Sequence, residues 1–239
     1  MSTPEIFDRL HQWDTSGELA SRLAFNIATD LADAIRERGT ATLAVSGGST
    51  PKPLFEQLSR RPLDWSSVTV TQVDERWVDE SHSASNARLI REHLLQNLAA
   101  AASFVSMKTS AASPFGAEAK AAENLSAFAG EIDVVVLGMG EDGHTASFFP
   151  AAPTLAIALD PTGRKLCVAV RPPDAPHDRM TLALPALYRA RSLYLHVTGD
   201  KKWEVLQRAA RPGPVEELPI RSLLRVPGRP LQIFYSNRS

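Results

Sequence analysis

Ile132-Asp133-Val134-Val135-Val136-Leu137 runs directly into Gly138-Met139-Gly140-Glu141-Asp142-Gly143-His144. The first segment is apolar and rich in β-branched residues, which is typical of a strand buried on both faces of a parallel sheet. The second combines glycines, acids and a histidine, and ligands of open α/β sheets bind beside the carboxyl ends of strands. We therefore expect a binding site in this turn. The same residues also fit a tight turn without a ligand, in which His144 caps a helix or lies on the surface.

The overall composition is that of an ordinary soluble globular protein. The chain has 239 residues, of which 44% are hydrophobic and 22% are charged, so it is long enough to bury a large core. We expect residues 1–239 to form a single catalytic domain. The formal net charge of -1 includes no long run of one sign, so no nucleic acid or anionic membrane partner is predicted. A small molecule is the expected partner.

The sequence also bears on location and redox chemistry. No apolar stretch approaches the roughly 20 residues of a membrane span, and Met1–Glu5 lacks the basic and apolar pattern of a leader. We therefore expect a cytoplasmic protein. The single cysteine, Cys167, lies in a strand-like run and cannot form an intramolecular disulfide, so we expect a small buried hydrophobic residue.

The alternation of helix and strand patterns predicts the fold class. Thr15-Ser16-Gly17-Glu18 is a capping-box pattern, and the apolar residues from Leu19 to Ile35 recur at helical spacing before Gly39. Apolar strand patterns alternate with helices almost throughout the chain. We therefore predict an α/β fold with an open, mainly parallel, Rossmann-like sheet and helices on both faces, with room for a small extra lobe.

A glycine loop follows another predicted strand, Thr40–Val45, and precedes a predicted short helix. The loop is Ser46-Gly47-Gly48-Ser49-Thr50-Pro51. Glycines at a helix amino terminus let an anion approach backbone N–H groups, so the loop suits a phosphate. It lacks the Lys-Ser/Thr ending of a nucleotide P-loop and the third glycine of a dinucleotide site, so ATP and NAD are poorly supported. The alternative is a simple capped turn with Pro51 at the first helical position.

Charged or polar residues follow two more predicted strands. Val68–Val73 ends in Asp74-Glu75-Arg76, and Ser192–Thr198 ends in a segment that contains Lys202. A solvated charge cluster is the alternative for Asp74-Glu75-Arg76. Ser85 or Asn86 is expected to cap the next helix or to reach the site.

Two further segments carry expectations of their own. The proline-rich segment Arg171–Asp178 is expected to be irregular and to form a rim or a lid. His196 lies inside a strand pattern, so we expect it in the core or at an interface.

A histidine beside an aspartate, without a nucleophile motif, is suited to general-base activation of water, which is worth roughly 10²–10⁴-fold in rate. The chain contains neither a G-x-S-x-G elbow nor a Cys/His spacing typical of a metal site. These features together predict metal-independent proton chemistry on a phosphorylated small molecule.

The motifs also resemble, in the same order, those of the glucosamine-6-phosphate isomerase/6-phosphogluconolactonase family. The resemblance covers nearly the whole chain and is strongest to the lactonases. Its fold relatives include glucosamine-6-phosphate deaminases and ribose-5-phosphate isomerases. The segments that carry the resemblance are Ser46–Pro51, Asp74–Val78, Ser85-Asn86, Gly138–Pro150, Arg179–Leu182 and Gly199–Lys202.

The resemblance implies hydrolysis of 6-phospho-D-glucono-1,5-lactone in the oxidative pentose phosphate pathway, with no metal or organic cofactor. By this resemblance His144 is the general base and Asp142 orients or assists it. The oxyanion donors stay open between backbone N–H groups of the turn and a cation. The implied substrate-binding residues are Gly47, Gly48, Ser49, Thr50, Arg76 and Lys202 at the phosphate, Arg179 as a further candidate, and Asp74 at the sugar end.

Two alternatives remain. The deaminases carry Asn-Glu-Pro where this chain has Phe148-Phe149-Pro150, so the acid that assists ring opening is missing here. Related folds also serve as non-catalytic sugar-phosphate sensors behind a helix-turn-helix, but few residues precede the first predicted helix.

The sequence pattern also bears on the oligomeric state. Since it leaves no exposed apolar helix face unassigned, a monomer is expected.

Overall fold

The computed structural model of the protein describes residues 7–224 and 231–237, so Met1–Glu5 lies outside the described residues. Its strands form the sheets that position the candidate site. The strands within the described residues are β1 (Leu10–Trp13), β2 (Ala41–Val45), β3 (Val68–Gln72), β4 (Asp74–Arg76), β5 (Ser103–Val105), β6 (Ile132–Leu137), β7 (Cys167–Val170), β8 (Arg179–Leu182), β9 (Ala190–Thr198) and β10 (Gln232–Ser236).

Two sheets organise these strands. The large sheet has seven strands in the order β1-β10-β9-β6-β2-β3-β5, and each neighbouring pair is parallel. The small sheet has three antiparallel strands in the order β4-β8-β7. The predicted open, mainly parallel sheet is therefore confirmed. Neither β1 nor the small antiparallel sheet was predicted.

Helices cover both faces of the large sheet. They are α1 (Ser16–Arg38), α2 (Lys52–Leu58), α3 (Asn86–His93), α4 (Glu118–Asn124), α5 (Leu155–Ala158), α6 (Leu184–Tyr188), α7 (Asp200–Ala210) and α8 (Arg221–Leu224).

Every residue of β6 is buried, as its sequence predicted, because the strand lies in the middle of the sheet. Val134 and Val136 pack with α1, α2 and α3 on one face. Val135 and Leu137 pack with α4 to α8 on the other face.

The longest helix, α1, begins and ends where the sequence predicts. Thr15 is its N-cap, and the Thr15 hydroxyl oxygen accepts a hydrogen bond from the Glu18 backbone N–H at 3.2 Å. Gly39 ends the helix with a left-handed φ of 78°, and its N–H donates to the Ile35 carbonyl at 2.7 Å. Glycine is the residue that adopts this conformation without steric cost.

The Asp74-Glu75-Arg76 segment differs from the prediction. It was expected to be a polar cluster where a strand stops, but it forms β4 and pairs with β8. Val73 is the transition, because its N–H donates to Val45 of the large sheet and its carbonyl accepts from Leu182 of the small sheet. The chain therefore passes from one sheet to the other without a loop.

Smaller differences concern helix ends and burial. The helix after the glycine loop begins at Lys52, with Pro51 at the N-cap position and not at the first helical residue. The sequence pattern also predicts that Leu98 shares one face of the next helix with Ala87, Ile90 and Leu94, but Leu98 is 53% exposed and lies beyond α3.

Two further properties follow from the folded chain. Cys167 is buried as predicted, and burial raises the pKa of its thiol to about 12. Over the described residues, none of the helices combines the length and apolar character needed to cross a membrane.

We predict that Thr15→Ala lowers the free energy of unfolding by about 0.5–2 kcal/mol, because it removes the side-chain acceptor at the amino terminus of α1. Thr15→Ser keeps that acceptor and should stay close to the wild type. Urea unfolding followed by circular dichroism measures both variants. Equal stability of the alanine and serine variants would contradict this role of the hydroxyl.

Candidate active site

A cleft of about 300 Å³ lies at the carboxyl ends of β2, β6 and β9. It gathers residues that are distant in the sequence but were predicted to bind substrate or to act in catalysis. Those that line it are Gly47, Gly48, Ser49, Thr50, Asp74, Arg76, His144, Arg179 and Lys202. Asp142 joins this set through its contact with His144.

The turn after β6 holds the histidine and the aspartate against each other. His144 Nδ1 lies 2.5 Å from Asp142 Oδ1, and the same oxygen accepts the His144 backbone N–H at 3.1 Å. A Cβ atom on Gly140 would lie 2.3 Å from the His144 ring, so only glycine leaves room for this pair. Gly143 adopts a φ of 79° and thereby closes the turn.

The electrostatics of this pair suit a base. Burial alone would raise the pKa of Asp142, but the hydrogen bond and the charge of His144 outweigh it and lower that pKa. An ionised carboxylate can only accept hydrogen bonds, so it selects the His144 tautomer with a proton on Nδ1. The lone pair on Nε2 is then available to take a proton from water.

An aromatic ring borders the histidine. The ring centroid of Phe149 lies 4.4 Å from that of His144, and the guanidinium carbon of Arg179 lies 5.7 Å from the Phe149 centroid. Phe148, the preceding residue, is fully buried in the core. The Phe-Phe pair therefore anchors the turn with one ring and packs against His144 with the other.

The glycine loop has the close packing that its sequence suggests. A Cβ atom on Gly47 would lie 1.9 Å from Asn86 Oδ1, and Gly48 has a φ of 101°. Asn86 donates from Nδ2 to the Asp74 carbonyl at 2.7 Å and lines the cleft, whereas Ser85 caps α3. Ser85 therefore caps the helix, and Asn86 reaches the cleft.

Lys202 lies beside the glycine loop in the first turn of α7. Its Nζ is 3.4 Å from Thr50 Oγ1. Burial lowers the pKa of Lys202, and the nearby charge of Glu141 opposes that shift. A cation therefore lies directly beside the glycine loop.

Two arginines lie across from each other on the small sheet. Arg76 of β4 is paired with Arg179 of β8. Burial lowers the pKa of Arg179, the charge of Asp74 opposes this shift, and the charge of Arg76 adds to it. The Nε atoms of both arginines are buried and have no hydrogen-bond partner. Adjacent guanidinium groups with unused donors in one cleft indicate an anionic ligand.

Asp74 is held in place by a residue that was not singled out as a site residue. Ser147 Oγ donates to Asp74 Oδ2 at 2.6 Å, and both side chains are buried. Ser147 lies within the histidine motif, but only the tertiary structure brings it to Asp74. This contact joins the turn after β6 to the small sheet.

Glu75 is a second residue whose role the sequence did not reveal. Its carboxylate is buried and accepts backbone N–H groups of Arg76, Asn86 and Ala87, each at 2.7 Å. Burial raises the pKa of Glu75, and these bonds oppose the shift. The side chain fastens β4 to the amino terminus of α3, and so it fixes Arg76 and Asn86 at the cleft.

His196 is buried in β9, as expected for a core residue, but it also lines the cleft. Neither ring nitrogen has a hydrogen-bond partner, and the same holds for the buried Ser46 Oγ, which also lines the cleft. Burial lowers the pKa of His196 to about 3, with a further contribution from the charge of Lys202. The ring is therefore neutral at physiological pH.

The proline-rich segment forms part of the rim, since Ala175 lines the cleft. Arg171 binds Asp178 through two hydrogen bonds of 2.8 and 2.9 Å, and the Asp178 carbonyl accepts from Trp77 N at 2.8 Å. That the proline-rich segment acts as a lid stays a prediction. Across residues 7–224 and 231–237, no cluster of three or more His, Cys, Asp or Glu side chains is arranged to hold a metal ion.

Comparison with known proteins identifies the family. A family model described as glucosamine-6-phosphate isomerases/6-phosphogluconolactonase matches residues 14–229. The chain is 46% identical to the 6-phosphogluconolactonase of Rhizobium meliloti, covering 95% of this chain and 98% of that protein. It is 44% identical to that of Pseudomonas aeruginosa, with coverages of 91% and 92%.

Solved structures give the same result. A 6-phosphogluconolactonase from Shewanella baltica superposes with a TM-score of 0.92 at 45% identity, over 95% of this chain and 97% of that one. A monomeric glucosamine-6-phosphate deaminase superposes with a TM-score of 0.76 at 17% identity, over 95% of this chain and 97% of that one, which shows the shared fold alone. The chain thus belongs to the glucosamine-6-phosphate isomerase/6-phosphogluconolactonase family.

Proposed function

We propose that this protein hydrolyses 6-phospho-D-glucono-1,5-lactone to 6-phospho-D-gluconate, a step of the oxidative pentose phosphate pathway. One observation carries the proposal: the His144–Asp142 pair and the cations Arg76, Arg179 and Lys202 share a single cleft. The pair supplies a base for water, and the cations suit a substrate that carries a phosphate and forms an oxyanion.

The proposed reaction begins at His144. Nε2 removes a proton from water, the water oxygen attacks C1 of the lactone, and the C1 oxygen becomes an oxyanion. When the tetrahedral intermediate collapses, the bond from C1 to the ring oxygen breaks and His144 returns its proton to that oxygen. The product is the open-chain acid, which ionises. Asp142 stays ionised throughout and stabilises the imidazolium that forms transiently.

The structure favours a cation as the oxyanion donor. In the turn, the N–H of Gly140 donates to the His144 carbonyl, and that of Gly143 donates to the Gly140 carbonyl. The N–H of His144 donates to Asp142. Because these backbone donors are already used, we assign the oxyanion to a guanidinium of the Arg76–Arg179 pair, whose Nε donors are unpartnered.

The phosphate is assigned to the part of the cleft formed by the glycine loop and Lys202. There the backbone of Gly47–Thr50 and the side chain of Lys202 face each other. A phosphate at this loop receives N–H donors and a cation from two elements. Asp74, which Ser147 holds, is assigned to the sugar hydroxyls between the two ends.

The alternatives are less well supported. The ring beside His144 belongs to Phe149, where the deaminases that the motif resembles carry a glutamate, so a ring-opening acid has no counterpart at that position. A sensor needs no base, whereas Asp142 holds His144 in the tautomer that a base requires.

We further propose a monomeric, cytoplasmic enzyme in which residues 1–239 form one catalytic domain and no cofactor is needed. The large exposed apolar side chains among the described residues lie on separate elements, which supports a monomer; they are Phe25, Leu98, Phe115 and Ile157. Sedimentation velocity measures the oligomeric state directly.

The proposed function predicts catalytic activity. The purified protein should accelerate the loss of freshly prepared 6-phosphogluconolactone well above its spontaneous hydrolysis. Proton release in a weakly buffered solution follows the reaction continuously. A rate equal to the spontaneous rate would rule out the enzyme proposal and leave the sensor as the better explanation.

His144→Ala should lower kcat by roughly 10²–10⁴-fold, because it removes the base, while the affinity for 6-phosphogluconate stays within a few-fold of the wild type. Stopped-flow kinetics and calorimetry measure the two quantities. His93→Ala is the matched control, since His93 lies outside the cleft beside Glu56. Near-normal turnover by His144→Ala would show that another group is the base.

Lys202→Ala should chiefly raise KM, because a phosphate contact acts in the ground state and the transition state alike. Lys201→Ala is a close control: it removes the same charge one residue away, from a side chain that is 81% exposed and only 3.9 Å from Glu141. Steady-state kinetics on both variants separate the effects. A fall in kcat alone for Lys202→Ala would contradict the phosphate assignment.

A further inference from the structure

His196 forms part of the inner wall of the cleft, yet the proposed reaction does not use it. Its side chain projects from β9 and only 3% of the residue is exposed. Both ring nitrogens lack a hydrogen-bond partner, as does Ser46 Oγ at the start of the glycine loop. Buried polar atoms in proteins nearly always have partners, so unpartnered atoms on residues that line a cleft point to a ligand.

The surroundings of His196 indicate which part of a ligand it meets. His196 lies two residues before the end of β9, and Lys202 lies in the first turn of α7, which follows that strand. Both residues line the same cleft as the glycine loop. Phe234 of β10 is the partner of His196 in the sheet register and offers no polar atom from its side chain. An anion held between the loop and Lys202 therefore lies in the same cleft as the His196 ring, whose nitrogens have no partner.

The protonation state of His196 indicates what it contributes. Burial and Lys202 both disfavour the charged form, so the ring at neutral pH carries one N–H donor and one acceptor. A phosphate dianion offers many acceptor lone pairs and no donor. A neutral donor adds a hydrogen bond to it without placing a second positive charge against Lys202.

We propose that His196 donates a ring N–H to a phosphate oxygen of the substrate and thereby contributes to the choice of a phosphorylated lactone. The inference rests on the proposed function for the identity of the substrate. It adds a specificity-determining residue on β9 to the phosphate subsite formed by Gly47–Thr50 and Lys202. Ser46 Oγ is the second neutral donor within the same lining.

The kinetic test compares His196→Phe with His196→Gln. Phenylalanine keeps a buried ring but removes the N–H, so we expect KM for the phosphorylated lactone and the inhibition constant of inorganic phosphate both to rise roughly 10- to 100-fold, with kcat within about threefold of the wild type. Glutamine retains an amide N–H and should recover most of the loss.

Tyr194→Phe is the matched control. Tyr194 lies on the same strand two residues away, is buried, and donates to Asp30 at 2.6 Å outside the cleft. Losing that hydroxyl perturbs β9 without touching the phosphate subsite, so KM should stay unchanged. A KM increase in Tyr194→Phe equal to that in His196→Phe would show a structural effect of the strand and overturn the proposal.

A second measurement needs neither turnover nor a folded variant. Nitrogen-15 NMR of histidine-labelled wild-type protein, titrated with inorganic phosphate, should shift the ring signals of the buried neutral histidine. Unchanged ring signals at saturating phosphate would overturn the proposal even if the variants fail to fold. A phosphate-induced shift in a protein that does not hydrolyse the lactone would support this contact while the proposed function fails.

Discussion

Parallel pairing of β2, β6 and β9 is the constraint on which the site depends. Because neighbouring strands run in the same direction, Val45, Leu137 and Thr198 end at one edge of the sheet. The glycine loop, the histidine turn and the start of α7 each leave from that edge. A reversed central strand would send its loop to the opposite edge and separate the histidine turn from the glycine loop and the start of α7.

The small sheet supplies what the large sheet cannot. It places Arg76 and Arg179 at the cleft. The hydrogen bond from the Leu182 N–H to the Val73 carbonyl connects the two sheets. Glu75 holds the small sheet against α3, which requires the burial of a carboxylate. The cost of that burial is offset only because the carboxylate accepts several N–H groups, so the loss of this side chain would leave both the helix terminus and β4 without their partner.

Much of the central sheet and of the site could be predicted from local patterns. The mainly apolar run of β6 and the capped, periodic pattern of α1 are recognisable in the sequence, and the loops at strand ends mark the cleft. β1 was not predicted because it is an edge strand in which His11 and Gln12 are both exposed. It therefore lacks the alternation of buried and exposed residues that is typical of a strand.

β4 and the position of His196 at the cleft were not predicted, for a different reason. The three residues of β4 are all charged, and their burial becomes favourable only once β8 and α3 provide partners. His196 has the pattern of an ordinary core residue, and only the folded chain shows that it reaches the cleft. Long-range contacts therefore decide the features that local sequence leaves undetermined.

The pairing of β1 with β10 has a consequence for biosynthesis. His11 Nε2 and Gln232 Oε1 are 2.8 Å apart in space and 221 positions apart in the chain. During translation β1 therefore leaves the ribosome long before β10, the strand that joins it to β9, has been made. Pairing between such distant positions slows folding, and it leaves the edge of β9 open to wrong partners until β10 is synthesised. This side of the sheet is thus completed only after strands β2 to β9 have been made, and chaperone dependence should concentrate there.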